Sequence, residues 1–80
     1  MRIPRDFSGS ELVKRLGRLG YAVTRQTGSH IRLTSHARSE HHVTIPNHDP
    51  LRIGTLASIL DSVAAHHGMT RDALLQQLLS

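Results

Sequence analysis

The spacing of apolar residues changes twice along this chain, and that change limits the folds open to it more than any other feature. Leu12, Val13, Leu16 and Leu19 recur at helical intervals, whereas Ile31 and Leu33, and then Val43 and Ile45, alternate with polar neighbours. Ile53, Leu56, Ile59, Leu60 and Val63 return to helical spacing. A helix, a group of half-buried strands and a second long helix must therefore share a core. Eighty residues without a cysteine leave no disulfide or thiolate site to staple such a fold, so apolar burial must stabilise it. This length predicts a single domain over residues 1–80.

Local signals place the element ends. Ser8 and Glu11 have the S-x-x-E spacing of a capping box, Phe7 and Leu12 are placed to staple the helix entry, and Gly20 supplies a stop, which predicts a helix over about 9–19. Tyr21 to Gln26, the Gly28-Ser29 turn and His30 to Thr34 read as a hairpin. Ile31 and Leu33 then share one face, and His30, Arg32 and Thr34 the other. Ser35 to Glu40 is polar and punctuating, and Val43 and Ile45 alternate with His42 and Thr44 in a third strand ended by Pro46.

The second long helix is expected over about 54–66, with Asp49-Pro50 and Gly54-Thr55 both plausible entry points. Met69, Thr70 and Leu74 repeat the staple-and-cap pattern ahead of a short last helix built on Leu74, Leu75, Leu78 and Leu79. The order α-β-β-β-α with an extra short C-terminal helix is α+β. It predicts a three-stranded antiparallel sheet with helices on one face, the arrangement of a double-stranded-RNA-binding domain.

Charge is distributed unevenly. Residues 1–38 hold eight basic groups (Arg2, Arg5, Lys14, Arg15, Arg18, Arg25, Arg32, Arg38) against Asp6 and Glu11, or +6. Residues 39–80 hold Arg52 and Arg71 against Glu40, Asp49, Asp61 and Asp72, or −2. A polyanion is drawn to the first half, and Lys14, Arg15 and Arg18 on the first helix are candidates to follow an RNA backbone. A merely solvated helix face fits them equally well. With Phe7 and Tyr21 the only aromatic residues, stacking of bases on an aromatic platform is disfavoured. No apolar run approaches the roughly 20 residues of a membrane span, and the first residues lack the apolar stretch of a signal peptide, so a soluble cytoplasmic protein is expected.

The hairpin turn Gly28-Ser29 delivers His30 at its exit, where the backbone is fixed by the sheet and the ring is free to meet solvent. Imidazole ordinarily titrates at about 6.5, and a positioned general acid-base group contributes roughly 10² to 10⁴ in rate. Spacing alone fits an ordinary exposed strand histidine at least as well. The seven histidines raise the question of zinc, with His36, His41, His42 and His48 as conceivable ligands. Adjacent strand residues point to opposite faces, however, so His41 and His42 cannot share one ion without a bulge, and no cysteine completes a set. No metal or other cofactor is expected. His66 and His67 fall in the last turn of the long helix, where the helix dipole favours a partly protonated ring.

Three motifs in order, Arg25-Gln26-Thr27-Gly28-Ser29-His30, Ile45-Pro46-Asn47-His48, and Gly54-Thr55-Leu56 with Ile59-Leu60, make the chain resemble the HicA (YcfA-like) toxin family. The resemblance runs from the Ser8-Gly9-Ser10-Glu11 helix entry to the last short helix. It implies metal-independent cleavage of mRNA, neutralisation by a HicB-type antitoxin, with oligomers forming through that antitoxin, and a catalytic histidine in the Gly-Ser-His motif, which is His30. Thr27 departs from the family pattern, where a basic residue is common, and the density of histidines from Ser35 to His48 is unusual. Arg25 and Arg32 are positioned to make up for the missing cation, with Ser29 beside them at the turn. His30 is then the acid-base group and Arg32 a phosphate contact, and His48 is a candidate for the second proton-transfer group.

Two other readings use the same residues. A non-catalytic RNA-binding domain would share the fold and charge, and would not depend on His30. A DNA-binding regulator would use the last two helices, across Gly68-Met69-Thr70, as a helix-turn-helix, although its second helix carries only Arg71 as a cation.

Overall fold

The computed structural model describes residues 3–80, so Arg2, counted above among the N-terminal cations, lies outside the described residues. The elements are α1 (Gly9–Leu16), a 3₁₀ turn (Gly17–Leu19), β1 (Ala22–Thr27), β2 (His30–Ser35), β3 (His41–Pro46), α2 (Ile53–His66) and α3 (Arg71–Leu79). This is the expected α-β-β-β-α order with an added C-terminal helix. The three strands form an antiparallel sheet in the order β1-β2-β3.

Each helix begins as its sequence dictates, with one exception. The Glu11 N–H donates to Ser8 Oγ at 3.0 Å, and the Ala73 N–H donates to Thr70 Oγ1 at 3.1 Å, so both hydroxyls satisfy donors that a helix start leaves without partners. Glu11 uses its carboxylate on Arg15 Nε, 2.8 Å away. The α2 helix starts at Ile53, one residue before the expected position. Its N-cap, Arg52, makes no side-chain cap, which is why neither candidate entry could be singled out from capping chemistry.

One sheet face carries the core. Ile31, Leu33, Val43 and Ile45 pack with Leu12 and Leu16 of α1, with Leu56, Ile59, Leu60 and Val63 of α2, and with Leu74, Leu75 and Leu78 of α3. Pro4 and Phe7 line a seam with Leu12, Leu56, Leu60, Leu75 and Leu78, which is the staple expected at the entry to α1. Removing a fully buried leucine such as Leu33 from a core of this kind costs about 2–5 kcal/mol.

Two polar residues are buried against expectation. Thr34 belongs to the open face yet is 6% exposed, because Thr24 and His42 close over it with hydroxyl-to-hydroxyl and hydroxyl-to-ring contacts of 2.9 and 2.8 Å. Ser35 continues β2 instead of opening the following loop. It is 0% exposed, and its hydroxyl donates to the Leu19 carbonyl at 3.4 Å and accepts from the Ala37 N–H at 3.2 Å.

The α3 helix is held to α1 and the 3₁₀ turn after it by arginines. Arg15 Nη1 donates to the Leu78 carbonyl at 2.6 Å, and Arg18 Nη1 reaches the Gln77, Leu78 and Ser80 carbonyls. Cations thereby meet the negative end of the α3 dipole and its unsatisfied carbonyls. Arg71, the cation that a helix-turn-helix reading would need, is paired with Asp61 through two bonds of 2.7 Å.

Candidate functional site

Gly28 has φ +57° and Ser29 completes a two-residue loop between the paired residues Thr27 and His30. With no positive φ at any described non-glycine residue, this is the type II′ pattern, whose twist matches that of paired strands. His30 is exposed and pairs with Thr27 on one side and Pro46 on the other. The Asn47 N–H donates to the Ser29 carbonyl at 2.6 Å, which carries the β2–β3 ladder past the strand end and fixes the turn.

On the sheet face opposite the core, Arg32 lies between Arg25 on β1 and Thr44 on β3. Arg25 reaches this face because of a register shift between Val23 and Arg25. The extra residue, Thr24, bulges, and its hydroxyl meets the Thr34 hydroxyl at 2.9 Å and donates to the Arg32 carbonyl at 3.4 Å. Without that bulge Arg25 would pair with Ile31 and point the other way, since a one-residue slip reverses every side chain. Two arginines thus sit directly opposite each other two residues along β2 from His30. Among the described residues neither guanidinium has a hydrogen bond or ion pair, an arrangement unfavourable by itself and relieved by a bound anion.

At the far end of the same face His42 Nε2 lies 2.7 Å from Glu40 Oε2, and His42 Nδ1 lies 2.8 Å from Thr34 Oγ1. The hydrogen bond from His42, and then its charge, hold the Glu40 carboxyl below the usual carboxylate range, with smaller contributions from His36 and Arg32. His41 points to the opposite face, as strand alternation requires. Its Nδ1 is 2.6 Å from the Tyr21 hydroxyl, which also lies 3.2 Å from His67 Nε2. This grouping of His41, His66, His67 and Tyr21 escaped the sequence because Tyr21, His41 and the His66-His67 pair lie 20 or more residues from one another. His48 is elsewhere, beside the start of α1, where its carbonyl accepts from the Gly9 N–H at 2.8 Å. Among the described residues no group of three histidine or carboxylate side chains is arranged to hold a metal ion.

The structure therefore brings Arg25, Ser29, His30 and Arg32 to one end of the open sheet face, with His48 in the segment that follows β3. It places Lys14 and Arg15 on α1, which covers the other face, and Arg18 in the 3₁₀ turn that follows, where the expected helix has already ended, with Arg15 and Arg18 engaged on α3. Among the described residues no helix is long and apolar enough to cross a membrane.

Fold and surface together define a small α-β-β-β-α domain whose uncovered sheet face is cationic beside a turn-borne histidine. The family model described as "HicA toxin of bacterial toxin-antitoxin" matches residues 9–64, from the first residue of α1 to near the end of α2, and the chain belongs to this HicA toxin family. The α3 helix lies beyond the matched span. Comparison with curated proteins and with solved structures found no match.

Proposed function

We propose that this HicA-family toxin is a metal-independent endoribonuclease that cleaves mRNA and so inhibits translation and growth, with His30 as its catalytic residue. The observation that carries this reading is the Arg25–Arg32 pair, two guanidinium groups without a hydrogen bond or ion pair among the described residues, on the same sheet face as the exposed His30. A phosphodiester placed over the pair offsets part of its positive charge and would sit on the same sheet face as the imidazole.

Cleavage requires a base to take the 2′-hydroxyl proton, attack of that oxygen on phosphorus, and an acid to protonate the departing 5′-oxygen. The products are a 2′,3′-cyclic phosphate and a 5′-hydroxyl. His30 serves as acid-base group, Arg25 and Arg32 stabilise the phosphorane charge, and Ser29 contributes a polar contact at the turn. His48 is the candidate for the second proton transfer, because its backbone is tied beside the same end of the sheet. Lys14 extends the positive surface around α1, while Arg15 and Arg18 serve it only as fixed charges held by α3. A HicB-type antitoxin covering the His30 face would block the substrate, and acidic groups on it would complement the arginine pair.

The test is His30→Ala, assayed on a long RNA with a chelator present to exclude contaminating metal-dependent nucleases. Cleavage should fall by about 10² to 10⁴ while the variant stays folded and keeps its RNA affinity. Undiminished cleavage by folded His30→Ala protein overturns the assignment. A wild-type chain that binds RNA without cutting it points instead to a non-catalytic RNA-binding domain.

A further inference from the structure

We propose that Gly9 is a positioning residue for His30, acting through the Pro46–His48 segment; the proposal rests on the ribonuclease reading of the hairpin. Gly9 opens α1 and is buried against backbone. A methyl group at its Cα would collide with the Pro46 carbonyl oxygen and lie 3.1 Å from Asn47 Cα. The same residue donates its N–H to the His48 carbonyl at 2.8 Å, and two residues earlier the Phe7 carbonyl accepts from the Leu51 N–H at 2.7 Å. Residues 7–9 are thus laced to 48–51, with a hydrogen atom as the only spacer between α1 and the strand end.

The lacing continues into the site. Pro46 is the cross-strand partner of His30, and Asn47 donates to the carbonyl of Ser29, the residue that precedes it. His30 is therefore located by β2 itself and by a segment whose position α1 sets through Gly9. Any side chain at position 9 forces the 46–47 backbone to retreat by on the order of 1 Å, and misplacement of that size costs about 10²-fold at a reacting centre. The Gly28–His30 turn is exposed, so the same retreat leaves the buried core largely as it was. The Ile45-Pro46-Asn47-His48 motif gains a function beyond its side chains: it is the backbone wedge between the first helix and the catalytic turn.

Three variants of the full chain test this. Gly9→Ala inserts the obstructing methyl. Asn47→Pro removes the N–H that grips Ser29 from an exposed position just past a strand, where proline is tolerated. Gly17→Ala is the control, because a methyl there meets nothing within 4 Å. The readouts are kcat and KM on RNA, the folded state from amide NMR dispersion, and the His30 ring resonances. Gly9→Ala and Asn47→Pro should lower kcat about 10²-fold at a KM within roughly twofold of wild type, and should shift the His30 ring signals, while Gly17→Ala does neither. Wild-type kcat with unshifted His30 signals in folded Gly9→Ala protein overturns the proposal. If Gly9→Ala does not fold, Asn47→Pro decides by the same two readouts. Should wild-type protein show no His30-dependent cleavage, the ribonuclease reading fails, and the ring shift alone then upholds or overturns the positioning role.

Discussion

His41 and His66 stack face to face, their ring centroids 4.3 Å apart and their planes within 8° of parallel. They join the start of β3 to the end of α2, with Tyr21, His67 and Ser62 completing the contact and the Ser39 carbonyl accepting from His66 Nε2 at 3.2 Å. Burial, then the charges of His66, His67 and His42, hold His41 below the ordinary histidine value of 6.5. Burial, then the charges of His66 and Arg38, do the same for His67, so the protonated ring expected from its place at the end of α2 is disfavoured instead.

A histidine with a depressed folded pKa takes up its proton more readily when the chain is unfolded. The stability it contributes is complete above 6.5 and is lost as pH falls below that value toward the folded pKa. The urea midpoint should therefore hold steady from about pH 8 to 7 and decline as pH falls below about 6.5. This window opens at higher pH than that of Glu40 and Asp61, whose carboxyls, held low by His42 and Arg71, lose their contribution only below their ordinary values of 4.5 and 3.8. A midpoint indifferent to pH across the upper window would show that the stack carries no proton linkage.

Arg15→Ala should destabilise the protein by about 1–2 kcal/mol, since it removes a charged donor from the Leu78 carbonyl and a cation 5.5 Å from the Phe7 ring centroid. Arg71→Ala removes a bidentate but exposed pair with Asp61 and should change stability far less. Chemical denaturation of the two variants compares them directly, and equal losses would mean that the grip on α3 contributes no more than a surface ion pair.

Arg25→Ala and Arg32→Ala should each weaken RNA binding across sequences and lower the slope of log affinity against log salt by about 0.7 to 1. Their stability should hold or rise slightly, because each substitution relieves a like-charged cross-strand pair. Binding measured at several salt concentrations checks both expectations. Unchanged slopes would place the RNA elsewhere on the molecule.

His48→Ala separates two roles for that residue. As the second acid-base group it should lose activity about as severely as His30→Ala, by roughly 10² or more, with the pH–rate profile losing one limb. If only the backbone carbonyl matters, through its bond from Gly9, activity should fall slightly and the profile keep its shape. The pH dependence of kcat is the deciding measurement.

Most of the fold was legible because its causes are local. The Ser8 and Thr70 caps, the Gly28-Ser29 turn and the alternation of Ile31, Leu33, Val43 and Ile45 each act within a few residues, and each element formed where those signals put it. The α2 start was less legible because Arg52 caps nothing. Local chemistry likewise singled out His30 as an exposed residue at a rigid turn, and strand alternation parted His41 from His42. What only the tertiary structure decided depends on contacts between distant residues. The Thr24 bulge, which has no composition of its own, turns Arg25 to the face of Arg32. Arg15 and Arg18 grip the carbonyls of α3 about 60 residues away, and a backbone carbonyl leaves no mark in a sequence. The Gly9 contact with Pro46 and the stack of His41 on His66 arise in the same way: side-chain periodicity specifies which faces meet, and only the packed chain fixes which atoms then touch.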